Sequence, residues 1–144
     1  MKNVFLDTNV LMDFVDNREN REYAETIIEL GKTGVIQLYA SYLSFANMGY
    51  ILRKRQEDER YRMIRNARKI VTVLPCDSDQ LDSTLATPVK DYEDMLQYQC
   101  ALAAGCDVIV TNNKRDFQEF SKLPFLTSEE FLLQIDYWLE QFKS

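Results

Sequence analysis

A chain of 144 residues, 46% hydrophobic and 28% charged, has the length for one domain with a real core and the composition of an ordinary globular protein. With no histidine, Ser-His-Asp chemistry, Cys-His proteolysis and histidine-pair nucleases are excluded, so neutral-pH hydrolysis must use carboxylates, lysine, tyrosine, thiol or a bound metal. The net charge of −6 argues against a surface coated for nucleic acid, and three cysteines without a CxxC pair exclude an ordinary zinc site and predict reduced, partly buried thiols.

Taken in chain order, Lys2 to Leu6 reads as a short buried strand. Thr8 to Asp16 reads as a helix, with Val10, Leu11, Phe14 and Val15 on one face. Neither a signal peptide nor an anchor fits the few residues before Asp7, no apolar run is long enough to span a bilayer, and a cytoplasmic location is expected. Glu19 to Lys32 predicts a second helix, closed by Gly31 and Gly34, and Val35 to Ala40 a second strand. Ser41 or Ser44 caps the next helix, which is expected to run through Met48, Ile51 and Leu52 into a basic window.

That window, Arg53 to Lys69, holds eight of the seventeen basic residues, opposed only by Glu57, Asp58 and Glu59. It reads either as a solvated helix face or as a stripe that tracks phosphates, with Arg53, Lys54, Arg55, Arg62 and Arg65 as the backbone contacts. A helix is expected over Asp58 to Lys69, then the strand "IVTVLP", a short helix in "DSDQLDSTLA", and a strong helix from near Asp91 to Gly105. "DVIVT" predicts a strand, "NNKRDFQEF" a short turn or helix, and "TSEE" a capping box opening an amphipathic helix over Ser128 to Phe142. Strands alternating with helices imply one three-layer α/β domain over 1–144 with a mainly parallel sheet.

In such sheets, ligands bind beyond the carboxyl ends of the strands. The first strand ends in "LDTN" (Asp7, Thr8, Asn9) and the strand "DVIVT" in Thr111, Asn112, Asn113 and, further on, Asp116. The helix opening at "DYEDM" adds Asp91, Glu93 and Asp94. If the two strands are neighbours, these oxygens converge, and clustered carboxylates repel unless a hard cation such as Mg²⁺ or Mn²⁺ neutralises them. Plainer readings stand beside this one. Asp7 and Asp91 serve equally as helix caps, Glu93 should point away from Asp94, and Thr111, Asn113 and Asp116 also suit turns.

"VFLDTNVLMDF", "YASYLSFANMGYILRK" and "DYEDMLQYQCALAAGCDVIVTNNKRDF", in this order and spacing, resemble a PIN domain of the VapC toxin type over nearly the whole chain. The resemblance implies a parallel sheet flanked by helices, an acidic Mg²⁺ or Mn²⁺ site and endonucleolytic cleavage of RNA. Matched by position, Asp7, Asp94 and Asp116 would hold the ion, while Asn47, Thr111 and Asn113 would orient it, water or substrate. Two positions depart from the pattern: Asn47 stands where a glutamate is usual, and Asn113 where an aspartate is frequent. An amide oxygen ligates a metal but carries no full charge and is no base, which predicts weaker metal binding or recruitment together with RNA.

A protein antitoxin is the expected partner, covering the cleft or an apolar groove, and "FLLQIDYWLEQF" offers a surface for it or for a homodimer, unless that helix simply packs on the sheet. Two other readings remain: a PIN-fold module that binds RNA or protein without cleaving, and an aspartyl-phosphate enzyme. Asn9, standing where the latter needs a second aspartate, argues against it.

Overall fold

Alternating side chains along three short strands decide which helices cover each face of the sheet. A computed structural model describes residues 3–118 and 120–141, the side chains of Asp116 and Gln141 excepted; Lys2 and Phe142, at the ends of two expected elements, lie outside the described residues. The strands are β1 (Asn3–Leu6), β2 (Gln37–Ser41), β3 (Thr72–Leu74), β4 (Val108–Val110) and β5 (Phe125–Leu126). All pair in parallel, in the order β3-β2-β1-β4-β5.

Val4, Leu6, Leu38, Ala40, Val108 and Val110 face one core, which receives α1 (Thr8–Val15), α2 (Arg21–Lys32), α3 (Tyr42–Ile51), α4 (Glu57–Ile70) and α7 (Ser128–Gln141). Phe5 and Ile109 face the other, against Met95, Tyr98 and Ala101 of α6 (Tyr92–Ala103), beside which lies α5 (Ser78–Ala86). This period of two, with both faces apolar, is what a doubly covered parallel sheet requires. Gly31 sits at the α2–β2 contact: a Cβ there would stand 2.7 Å from Leu38 Cδ1, so a larger residue would have to push the Leu38 side chain aside.

The expected elements form, with local shifts. α2 starts two residues late because Asn17 takes a left-handed conformation (φ 50°) and the chain uses Arg18 to Asn20 to turn, with the Arg21 amide donating to the Arg18 carbonyl. Of the two candidate serines, Ser41 is the cap of α3. That helix stops at Ile51 rather than running into the basic window: Leu52 is buried, and the Arg53 and Arg55 amides turn back to the Tyr50 and Leu52 carbonyls. β5 carries too short an apolar run to signal itself, yet its edge is needed, since Thr111 N donates to the Leu126 carbonyl at 2.9 Å. Cys100 and Cys106 are buried, Cys76 is half-buried, and all three are free thiols.

α7 is amphipathic: Phe131 and Ile135 are buried while Leu133 and Tyr137 face outward. Its start is the capping box that "TSEE" predicts. Glu130 N donates to Thr127 Oγ1 (3.1 Å) and Thr127 N to Glu130 Oε1 (2.9 Å). The Thr127 amide, and then Lys114, hold the Glu130 carboxyl below its ordinary value. Replacing Thr127 with alanine is expected to cost about 1 kcal/mol in urea denaturation, the usual worth of an N-cap hydroxyl. Among the described residues no helix is long and apolar enough to cross a membrane.

Candidate functional site

From β1 the chain builds outward to β2 and β3, then returns to place β4 on the other side of β1. The order therefore reverses between β1 and β4, and the crevice beyond their carboxyl ends is where an open α/β sheet receives its ligand. Asp7 and Thr111 are the first residues past those two strands. They meet: Thr111 Oγ1 donates to Asp7 Oδ2 at 2.9 Å.

Asp7 is a helix cap that also lines the candidate site. Its Oδ1 accepts from the Thr8 amide (2.8 Å), starting α1, and Oδ2 also accepts from Asn9 Nδ2 (3.0 Å). Asn9 Nδ2 reaches Thr111 Oγ1 as well (3.2 Å), and its Oδ1 accepts from the Asn112 amide (3.0 Å). Thr111 Oγ1 in turn accepts from the Asn113 amide. The carboxylate, 6% exposed, is thus held in one orientation by donors from two strand ends.

A second polar network lies beneath it and locates α6. Gln97 Nε2 donates to Ser44 Oγ (2.9 Å) and to Thr8 Oγ1 (3.4 Å), Thr8 Oγ1 donates to Ser44 Oγ (2.8 Å), and Ser41 Oγ donates to Gln97 Oε1. All four residues are buried, so the starts of α1 and α3 are tied to the second turn of α6. One turn earlier sit Asp91, the N-cap whose Oδ1 accepts from the Asp94 amide (3.1 Å), and Asp94 itself.

Above these networks opens a cavity of about 590 Å³, in the size range of ligand sites, lined by Asp7, Asn9, Asn47, Asp91, Asp94 and Asn113. Glu93 lines it too, contrary to the expectation that it would point away. The cavity sits over the amino-terminal end of α6, so neighbouring first-turn residues share its rim. Arg18, Tyr50 and Ile51 form other parts of the wall. The backbone of Asp116 closes the turn Lys114–Asp116, and its side chain lies outside the described residues.

The basic window splits. Arg55 is tied down by Asp16 (2.8 Å) and Glu59 (3.0 Å), and Asp16 also faces Arg18 (3.5 Å). Arg53 stacks on Tyr50 at the cavity wall. Arg62 and Arg65 lie with Glu57, Asp58 and Tyr61 on a separate surface of α4, and Lys54 is exposed.

Sequence reading passed over Gln97, Arg18 and a third cluster, although Gln97, a polar residue inside the run Met95–Ala101, was a visible irregularity. In that cluster Asn112 Nδ2 donates to Asp13 Oδ2 (2.8 Å), and Asn112 Oδ1 accepts from the Ser128 amide (3.0 Å), joining α1, the end of β4 and α7. Burial pushes the Asp13 carboxyl up, while the Asn112 bond and Arg18 oppose it.

In kind, the donors fit a hard divalent cation. Mg²⁺-like ions are held by one or two carboxylates, waters and substrate phosphate, and Asp7 and Asp94 share a cavity with the amides of Asn47 and Asn113. Among the described residues, no three acidic or thiol side chains gather closely enough to form a cage by themselves.

Fold and cleft define an α/β domain that presents hard oxygens at its topological switch point. The sequence profile of the PIN domain matches residues 3–115, and the chain belongs to the PIN domain family. It is similar to Ribonuclease VapC1 of Aquifex aeolicus (strain VF5), with 28% identity over 134 residues, 89% of this chain and 92% of that one. Its fold is that of a chain in DNA-bound VapBC from Salmonella typhimurium (TM-score 0.70, 20% identity, covering 89% and 99% of the two chains). It is also that of a chain in VapBC2 from Rickettsia felis bound to a promoter DNA fragment (TM-score 0.69, 14% identity, 85% and 96%). Ribonucleases of this family generally depend on a divalent metal.

Proposed function

We propose that this chain is an endoribonuclease of the PIN/VapC toxin type that hydrolyses RNA phosphodiesters with Mg²⁺ or Mn²⁺, acting as one domain over 1–144. The observation that carries the reading is that Asp7 and Asp94, far apart in sequence, line one cavity at the switch point of the sheet. Asp7 and Asp94 would hold the ion, with Asp116 as the third carboxylate. When bound, the ion neutralises charge on a phosphodiester and lowers the pKa of a water.

The chain's own groups do the rest. Thr8, Asn9 and Thr111 keep the Asp7 carboxylate in one orientation. The amides of Asn47 and Asn113 face the same cavity, where they would orient water or the scissile phosphate. Arg18 at its wall, and Arg53 stacked on the wall residue Tyr50, would supply positive charge for the flanking backbone in an otherwise acidic protein. Arg55 is spent on Asp16 and Glu59, and with Lys54, Arg62 and Arg65 it would add only long-range attraction.

A solved relative of similar fold is a toxin–antitoxin complex from Klebsiella pneumoniae. We extend that assembly to this chain: a protein antitoxin would cover the cleft, and the outer face of α7 with Leu133 and Tyr137 would serve it or a homodimer. An RNA substrate would suit a cytoplasmic location. Incubation with structured and single-stranded RNAs tests the activity. Cleavage with Mn²⁺ or Mg²⁺ is expected, falling by about 10²-fold or more in EDTA and returning when metal is restored. Cleavage indifferent to EDTA would reject the metal site. Asparagine at positions 47 and 113 favours a second reading, a PIN-fold module that binds RNA or protein without cutting it, and consistent inactivity of the wild-type protein would select it.

A further inference from the structure

Tyr50 stands out among the exposed aromatic side chains. It is 67% exposed, yet it is the aromatic ring that lines the same cavity as Asp7 and Asp94. One face of its ring is already occupied: the Arg53 guanidinium carbon lies 4.0 Å from the ring centroid. The guanidinium is held there by a second anchor, because Arg53 Nη1 donates to the Tyr50 carbonyl at 2.9 Å, at the end of α3 where the Arg53 amide also turns back to that carbonyl. One face of the ring is therefore covered by a cation, while the side chain stays largely exposed. Tyr50 belongs to the α3 wall of the cavity, whereas Glu93 and Asp94 come from α6.

Tyrosine left in water on a ligand wall, with a guanidinium stacked on it, has the makings of a nucleobase platform. Every base has a π face, and stacking on an aromatic ring demands no particular sequence. The guanidinium would add positive charge beside a cavity whose wall carries Asp7, Asp91, Glu93 and Asp94.

We propose that Tyr50, backed by Arg53, is the stacking platform for the base of a nucleotide flanking the scissile phosphate. The platform rests on the ribonuclease reading above and deepens it. The ring sets where the strand enters the cleft, and the phosphate next to the stacked base is thereby carried toward Asp7 and Asp94. Selection would favour unpaired bases, since a base inside a duplex has no free face to offer.

The test uses single-stranded RNA oligonucleotides with Mn²⁺, and a matching series in which each nucleotide near the cut is replaced in turn by an abasic ribose. Tyr50→Ala is expected to raise KM about ten- to a hundredfold with kcat little changed, and Tyr50→Phe and Tyr50→Trp to keep the wild-type value. For the wild type, one abasic position should raise KM to the same degree, and Tyr50→Ala should no longer feel that position, as two changes that remove one contact must. Tyr23→Ala, at an exposed aromatic of α2 away from the cavity, is the control and should behave as wild type. Circular dichroism checks that each variant is folded. A Tyr50→Ala enzyme with wild-type KM, or one whose loss persists undiminished on abasic RNA, overturns the platform while leaving the nuclease intact. Wild-type protein that cuts none of the RNAs overturns the nuclease reading and the platform with it.

Discussion

Asp7→Asn is expected to lower RNA cleavage by about 10²–10³-fold while costing only about 1–2 kcal/mol of stability. The two numbers separate the two roles of this side chain. Asparagine is as good a helix cap as aspartate, and its oxygen can still accept from the Thr8 amide. What it loses is the charge, together with one acceptor position. Its NH₂ would face Asn9 Nδ2, a donor, and Thr111 Oγ1, a hydroxyl that can turn to accept. That mismatch sets the modest stability cost. The charge sets the catalytic one, because an amide in place of a carboxylate binds a divalent cation far less well. Urea denaturation and a cleavage assay with Mn²⁺, run on the same preparation, read both. A folded Asp7→Asn protein that cuts RNA at the wild-type rate would reduce Asp7 to a cap and remove the centre of the site.

A second large effect is expected at Gln97, a buried residue at the wall of the cavity. Gln97→Leu keeps the volume and stays compatible with the helix, but it removes an acceptor from Ser41 and a donor from Ser44 and Thr8 inside the core. With Gln97 only 2% exposed, water cannot replace those bonds, and the loss should be about 2–4 kcal/mol. Activity should fall further than folded population accounts for. Gln97 sits one turn from Asp94 on α6 and anchors that helix to the starts of α1 and α3. A shift of about 1 Å in a positioned group can cost 10²-fold. Denaturation midpoints together with kcat measured well below the transition provide the check. A variant of wild-type stability would show that the three hydroxyls satisfy one another without the amide.

Much of this was readable from residues alone. The apolar runs ending in Asp7 and Thr111 announced strands opening onto polar groups, "TSEE" announced a reciprocal cap, and the helix at Asp91 began where its carboxylate meets the Asp94 amide. Other features were hidden because they depend on partners distant in the chain. α3 could not be seen to stop at Ile51, since the stop depends on burying Leu52 and on Asp16 drawing Arg55 across to the end of α1. Glu93 looked like a residue turned away until the cavity proved to sit over a helix end rather than along a helix side.

Local pattern by itself determined the order and kind of the elements other than β5, because strand and helix periodicities are written in neighbouring residues. It also narrowed the chemistry of the site: without histidine, neutral-pH hydrolysis had to rest on carboxylates, lysine, tyrosine, thiol or a bound metal. Only the tertiary structure decided that β1 and β4 lie side by side, which brings the Thr111 hydroxyl onto the Asp7 carboxylate and sets α6 across from both. Strand order is a property of the whole packed sheet. No short stretch of sequence encodes which strand will be whose neighbour, and on that adjacency the site depends.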